Sequence, residues 1–398
     1  MDREISVIGS GISGLSISQM LSKKNNVTIY EKGDKIGGLI KCDIIDNVLF
    51  HKVGGHVFNS KNTEVLNWFW NFFDKDTEFI KAKRNAKILL NDKYVGYPIE
   101  DHLYQLNEED LRIIINELLQ LKNEKIVLEN YSDFKNFLIS VFGNHLYKIY
   151  FEPYNNKIWN VELDEVPLNW LEGKLPMPNI YNIIFNNIIK KEENNMVHST
   201  FYYPLKNGSQ FIVDRLSEGL NINTNSVIKS IHKSKNNKLI LNENHNEIDH
   251  LVYTGDVRNL KSILNLNDIK LEKLLNEALE LKTNGTSNVL CDTNKTDISW
   301  LYLPNPNTRA HRIIYTGNFS PNNNGRDDRN TCVVEFSGIL SKADIDKELP
   351  KLPGNLSAID YNFERNSYII HDQKTNNLIS NLKIHLNKYN IHLQKCYH

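Results

Sequence analysis

The stretch that most constrains this chain is its first turn. It reads Ile5-Ser6-Val7-Ile8-Gly9-Ser10-Gly11-Ile12-Ser13-Gly14-Leu15. A β-branched run reaches Gly9, three glycines follow at G-x-G-x-x-G spacing, and an amphipathic stretch begins at Ser13. A second strand candidate, Val27-Thr28-Ile29-Tyr30-Glu31, closes on an acid. Gly9 permits a tight turn, Gly11 lets the backbone approach a pyrophosphate, and Gly14 lets helix pack on strand. The helix N-terminus offers N–H groups and a partial positive charge to phosphates, and Glu31 can accept hydrogen bonds from a ribose. A lone G-x-G-x-x-G is weak evidence. Here a strand precedes it, a helix follows it and an acid stands about 20 residues on, so the stretch reads as a dinucleotide-binding βαβ unit. The competing reading is a glycine-rich turn with no ligand.

The next residues select the dinucleotide. Glu31-Lys32-Gly33-Asp34-Lys35-Ile36-Gly37-Gly38-Leu39 resembles the acid-plus-double-glycine extension of FAD-dependent enzymes of the amine-oxidase and glutathione-reductase type. That resemblance implies FAD, with Gly9, Gly11, Ser13, Gly14, Glu31, Lys32, Gly38 and Leu39 as the cofactor set.

A chain of 398 residues exceeds one ordinary domain. Lys plus Arg is 47 and Asp plus Glu is 48, so the net charge is −1 and gives no general attraction to nucleic acid or anionic membrane. Cys42, Cys291, Cys332 and Cys396 are scattered without a C-x-x-C, which suits a reducing compartment and argues against a metal site or a disulfide framework. No apolar run approaches a membrane span, and the N-terminus enters the first strand directly, so a cytoplasmic protein is expected. There is no H-E-x-x-H, P-loop or G-x-S-x-G elbow.

The pattern predicts an α/β protein: a Rossmann-type FAD-binding domain with a helical insertion and an antiparallel substrate-side sheet. The expected boundaries are 1–100 for the first part of the nucleotide domain and 101–195 for the mostly helical insertion. The nucleotide domain returns over 196–260, the antiparallel sheet spans 261–345, and 346–398 is a final return. Asn62 or Thr63 can cap a helix reaching Phe73. Short strands are expected over 78–99 around Asn91-Asp92. A helix over 107–122 places Leu111, Ile114, Ile115, Leu118 and Leu119 on one face, and Phe134, Phe137, Leu138 and Val141 repeat that spacing. Pro176 and Pro178 mark the far side of the insertion. Val227, Ile228 and Ile231 read as one strand. The polar run Pro321–Asn330 reads as a mobile loop, and 376–389 as a last helix. The frequent asparagines read as genome composition.

Five islands in order resemble the UDP-galactopyranose mutase family, more its eukaryotic branch than its bacterial one. They are Gly54-Gly55-His56-Val57-Phe58; Phe151-Glu152-Pro153-Tyr154-Asn155-Asn156-Lys157-Ile158-Trp159, with Trp170 following; Trp300-Leu301-Tyr302-Leu303-Pro304; His311-Arg312-Ile313-Ile314-Tyr315; and Asn318-Phe319-Ser320-Pro321. The resemblance covers about residues 3–385. It implies a non-redox use of flavin. Reduced FAD attacks the sugar anomeric carbon through N5 and expels UDP, the sugar–flavin adduct opens and recloses as a furanose, and UDP returns. The pyrophosphate charge must then be met by fixed cations, best by the planar fork of arginine.

By that resemblance Gly54, Gly55 and His56 sit at the flavin, against the alternative of a hydrogen-bonded loop histidine. Arg312 binds the diphosphate, Tyr302 the diphosphate or the sugar, and Asn155, Trp159 and Trp170 line the uridine or sugar side. Tyr302 and Trp159 also read as packing residues. Tyr97, before Pro98, resembles a loop near the pocket, and Val227 would pair its backbone with adenine. The family's second arginine is matched by Lys174, which keeps the charge and loses the fork. The implied partners are a nucleotide sugar and, as electron source, NAD(P)H, in a possible homo-oligomer.

The family continues past its final helix with a glycine-arginine turn, an aromatic-x-tyrosine strand and an acid. The sequence here runs to Ile391-His392-Leu393-Gln394-Lys395-Cys396-Tyr397-His398. The expectation is a truncated frame, a divergent relative or a chain needing a second polypeptide. The alternative functions are an FAD oxidoreductase of the amine-oxidase or protoporphyrinogen-oxidase type and a non-catalytic relative.

Overall fold

A computed structural model describes residues 2–121, 126–168, 171, 179–191, 200–242, 247–370 and 374–394. The chain divides into two compact units: 1–42 with 209–283 and 366–398, and 43–208 with 284–365. Residues 43–100 therefore group with the second unit.

The first unit is built on a five-stranded parallel sheet in the order Ile391–Leu393, His250–Tyr253, Glu4–Ile8, Asn26–Tyr30, Asn221–Asn223. Strands covered on both faces need apolar runs rather than alternation. Val7, Ile29 and Leu251 accordingly lose all exposure. The helices Ile269–Leu279 and Thr375–Asn387 bring Leu271, Leu275, Leu378, Leu382 and Leu386 into one core with Leu251, Tyr253 and Ile391. A smaller four-stranded sheet adds Ile231–Lys233 and Leu239–Leu241. The strand expected through Val227 begins only at Ile231, and Val227 is 49% exposed. Ser226 is drawn instead toward Glu31, whose carbonyl accepts the Ser226 N–H at 2.8 Å.

The turn at Gly9 has φ +100°, a region that only glycine enters freely. Gly14 meets a different demand: a Cβ there would lie 1.9 Å from the Gly9 carbonyl oxygen. The helix Ile12–Leu21 thus approaches the strand end more closely than any side chain allows.

The second unit holds a seven-stranded sheet in the order Ser357–Ile369, Thr283–Asp292, Thr331–Ser337, Ala310–Ile314, Trp300–Tyr302, Ala86–Leu90, Lys93–Gly96. The register is antiparallel throughout its centre, while Trp300–Tyr302 pairs in parallel with Ala86–Leu90. Asn91 and Asp92, both with positive φ, close the hairpin between the last two strands. Eleven of the twelve described non-glycine residues with positive φ are Asn or Asp. The asparagines therefore have a structural use, because their short amides tolerate this backbone region.

The helical insertion contains Glu108–Gln120 and Phe134–Phe142, capped by the side chains of Asn107 and Asp133. Ile114 and Leu118 are buried, but Leu119 is 67% exposed. The apolar face is narrower than the spacing implied, since each residue turns the helix by about 100°. The first helix of the unit, Thr63–Trp70, is capped by Asn62 and stops before Phe73. Pro176 and Pro178 lie outside the described residues. The run Pro321–Asn330, expected as a mobile loop, is tied to the rest of its unit at two points. Asn323 is buried and donates to the Tyr203 hydroxyl and the Thr316 carbonyl, and Arg329 grips Asp292 at 2.6 Å. Among the described residues no helix is long and apolar enough to cross a membrane.

Replacing Gly14 by Ala should cost about 3 kcal/mol, because the added methyl meets backbone that cannot move aside. Gly219, unlike Gly14, has positive φ, and nothing lies within 4 Å of its Cβ position, so Gly219→Ala should cost only about 1 kcal/mol of backbone strain. Denaturant titration of both variants measures the difference, and equal losses would contradict the close approach at Gly14.

Candidate functional site

In the first unit the glycine turn is fastened from three sides. The Gly9 N–H donates to Tyr30 O at 2.9 Å. The Thr254 hydroxyl donates to Ile8 O at 2.9 Å and lies 3.3 Å from Gly9 O. The Gly37 N–H donates to Ser10 O at 2.9 Å, and a Cβ on Gly38 would lie 3.0 Å from Gly11 Cα. Two glycine pairs therefore stack backbone against backbone. Gly11 caps the helix without a side-chain hydrogen bond, and no acid stands in its first turn. Such an end attracts an anion through its N–H groups and dipole. Glu31 accepts the Ser10 hydroxyl at 2.6 Å, the Ser10 N–H at 3.0 Å and the Gly33 N–H at 2.9 Å. Burial works to raise its pKa, but these donors and Lys41 outweigh burial and hold the carboxyl below its ordinary value. Lys32 is exposed and Leu39 half-buried. The Val227 carbonyl accepts from the Asn242 amide at 3.1 Å.

In the second unit the sheet register lines up a polar row. Asn288 stands opposite Glu335, Glu335 opposite Arg312, and Arg312 opposite Tyr302, across four adjacent strands. Residues directly opposite share a face. A register shift between Ala310 and Arg312 leaves His311 as an extra residue against the Thr331–Ser337 strand. Such a bulge re-aims side chains. Here it brings His311 and Arg312 to one carboxylate: Arg312 Nε hydrogen-bonds Glu335 Oε2, and His311 Nε2 lies 3.5 Å from the same oxygen. Glu335 has no exposed surface. Burial pushes its pKa up, but Arg312 and then His311 pull it far below the carboxylate range. Burial also pushes the His311 imidazole down, toward its neutral form, against the opposing pull of Glu335.

Arg84 stands beside this row. Its Nη2 donates to the Tyr302 hydroxyl. Its guanidinium carbon lies 5.0 Å from the ring centres of Tyr97 and Trp300 and 5.9 Å from that of Tyr302. No carboxylate pairs with Arg84 among the described residues, and its buried Nε has no partner there. The Tyr97 and Tyr302 rings are 4.7 Å apart, and Tyr154 meets Tyr302 edge-on at 5.5 Å. Burial raises the Tyr150 and Tyr154 phenols well above their usual range, so both stay protonated donors.

The Gly54–His56 loop meets the same row. The Gly54 N–H donates to Asn288 Oδ1 at 3.1 Å. A Cβ on Gly54 would lie 3.5 Å from Arg312 Nη2 and 3.6 Å from Glu335 Oε1. One on Gly55 would lie 2.7 Å from Ile314 Cγ2. The His56 ring curls back, with Nε2 2.7 Å from Val53 O. Nearby, buried His51 shares a 2.7 Å hydrogen bond with the Tyr203 hydroxyl. Burial, with a smaller push from His56, lowers its pKa to about 3.

The helix Glu152–Trp159 is pinned to the sheet. Lys157 Nζ donates to Leu303 O, Asn305 O and Ala310 O at 2.7, 2.5 and 3.1 Å, which fixes the hairpin carrying Tyr302 and Arg312. The Ile158 carbonyl accepts from Asn284 and Ser337. The Asn155 amide donates to Phe151 O at 2.8 Å, and Trp159 is half-buried.

The fold thus gathers Arg312, Tyr302, Tyr97, Gly54 and Gly55, and keeps Lys32 and Val227 at exposed positions of the other unit. Trp170 and Lys174 lie outside the described residues. Sequence reasoning missed Arg84, Glu335, Lys157 and Thr254. Of these, only Lys157 lay inside a quoted motif; Glu335 becomes visible through strand register, and Arg84 and Thr254 through their contacts with Tyr302 and with the glycine turn.

Residues 7–75 match the NAD(P)-binding Rossmann-like domain family. A dTDP-fucopyranose mutase of Escherichia coli is 27% identical over 183 residues, covering 44% of this chain and 46% of that protein. A UDP-galactopyranose mutase of Mycoplasma genitalium is 29% identical over 168 residues, covering 40% of each. These matches span less than half the length of either relative. A crystal structure of reduced UDP-galactopyranose mutase superposes with a TM-score of 0.86 at 19% identity, over 98% of this chain and 89% of that one. A putative protoporphyrinogen oxidase from Exiguobacterium gives 0.74 at 13% identity, over 99% and 93%. The chain therefore shares the fold of that mutase and that oxidase, and part of it is similar to sugar mutases.

His51 gives a signed pH dependence. Its folded pKa is depressed, so its contribution is complete above the unfolded value near 6.5 and is lost as pH falls toward 3. Between pH 6 and 4 the wild type should lose up to about 1.4 kcal/mol per pH unit more than His51→Gln. Unfolding titrations of both proteins at each pH measure this, and parallel curves would contradict it.

Proposed function

We propose that this chain is a flavin-dependent nucleotide-sugar mutase, interconverting pyranose and furanose forms of UDP-galactose or a related nucleotide sugar. The observation that carries the reading is the row Asn288–Glu335–Arg312–Tyr302 with Arg84 beside it. A pair of guanidinium groups among protonated phenols suits a pyrophosphate that gains charge as it leaves a sugar. The partial matches to two sugar mutases support the same class.

The first unit fits FAD. Its backbone-to-backbone glycine stacking leaves no Cβ over the turn, its helix N-terminus carries no side-chain cap, and Glu31 is ionised. Gly9, Gly11, Ser13, Gly14, Glu31, Lys32, Gly38 and Leu39 would hold the dinucleotide, with Val227 at the adenine. Bound in its reduced form, with NAD(P)H as electron source, FAD supplies the nucleophile toward the sugar carbon. The chain does the rest. Arg312 and Arg84 take the phosphate oxygens, and Tyr302, Tyr154 and Tyr97 enclose and orient the diphosphate and sugar. Gly54, Gly55 and His56 are assigned to the flavin. Asn155, Trp159 and Trp170 are assigned to the uridine or sugar, and Lys174 to a further phosphate contact. The setting is cytoplasmic, with self-association possible.

The test uses the purified, FAD-loaded chain and UDP-galactofuranose, with UDP-galactopyranose read by chromatography. Conversion only after dithionite reduction, with no net oxidised product, supports the mutase. Peroxide formation by the oxidised protein would favour an amine-oxidase-type oxidoreductase instead. Arg312→Ala and Arg84→Ala should each lower turnover about 10²–10³-fold while the flavin spectrum persists. Unchanged turnover in both would sink the reading.

A further inference from the structure

The polar row carries a charge pattern that diphosphate capture alone does not demand. Arg312 faces a fully buried carboxylate, so its charge is cancelled at the site itself. His311 approaches the same carboxylate at 3.5 Å, its pKa pushed down by burial and up by Glu335. Lys157 is committed to three carbonyls of the hairpin. Arg84 has no acid beside it among the described residues and supplies positive charge that no carboxylate there offsets. The second oxygen of Glu335, Oε1, has no partner among the described residues and lies on the Gly54 side of the row. A buried acid kept next to an anion-binding arginine weakens anion binding, so its presence calls for a reason.

The proposed reaction offers one. A leaving group that must return to the sugar, and later depart as part of the product, cannot be held too firmly, since extra affinity shared by every state adds nothing to turnover. Resting on the mutase reading, we propose that Glu335 is a charge-setting and positioning residue. It grips Arg312 by its Nε edge, fixing the plane of the fork. It also offsets the guanidinium charge, so the site's affinity for a nucleoside diphosphate stays moderate. A unit charge one guanidinium-width from a phosphate changes affinity by roughly tenfold at a protein-like dielectric.

The experiment is calorimetric titration of UDP into the FAD-loaded full chain, for wild type, Glu335→Gln and Glu335→Asp, with steady-state turnover measured on each. Gln removes the charge and Asp draws it back by one methylene. UDP should bind roughly tenfold tighter to the Gln variant and about threefold tighter to the Asp variant, while turnover falls in both. A purely structural carboxylate predicts the opposite, weaker UDP binding in each. Equal or weaker binding in the variants that fold overturns the inference; if thermal melting shows that Gln does not fold, Asp decides. Absence of UDP binding to FAD-loaded wild type would overturn the mutase reading, and this inference with it. Binding to wild type without the gain would overturn this inference alone.

Discussion

A carboxylate without exposed surface has to be met by positive charge or hydrogen bonds, or it will not stay ionised. Glu335 meets that requirement through Arg312, with His311 closing in from the bulge. The consequence spreads outward. Because Glu335 is opposite Asn288, the loop through Gly54 is tied to the same row, and because Arg312 is opposite Tyr302, the aromatic cluster and Arg84 are tied to it too. One ion pair thus sets the positions of residues that lie far apart in sequence, and Lys157 secures the hairpin from the helix side.

The first unit answers a simpler constraint. Here the helix begins directly against the end of the strand it follows, and only absent side chains allow it. Glu31 is then held by Ser10 and Gly33 at the end of its strand. Thr254, arriving from a strand some 240 residues later, bonds the turn's own carbonyls. The turn is local in sequence, but its rigidity comes from the whole parallel sheet.

That difference explains what could be read in advance. The glycine turn, its strand and its helix are encoded within about 30 residues, so spacing alone reveals them. The hairpin of Asn91 and Asp92, the Asn62 cap and the Phe134–Phe142 helix are likewise local. Arg312 and Tyr302 were legible only because a family resemblance named them. Glu335 and Arg84 were not, because a single acid in an alternating strand, or a single base in the link between two strands, carries no mark of which neighbour it will face. The ties of Pro321–Asn330 were hidden for the same reason: Asn323 and Arg329 are held by Tyr203, Thr316 and Asp292, contacts that composition does not reveal. Leu119 erred the other way, being apolar yet outside the face its helix buries.

The extra residue at His311 has an evolutionary implication. Along a regular strand, neighbouring side chains alternate between opposite surfaces, so a single insertion or deletion exchanges what each surface displays. Here the insertion is already built in, and it lets two successive residues address one carboxylate. Kin that lack it could preserve every letter of His-Arg and still turn the arginine away from its acid. Descent along this strand is therefore better traced through its pairing with the neighbouring chain segment than through matched letters.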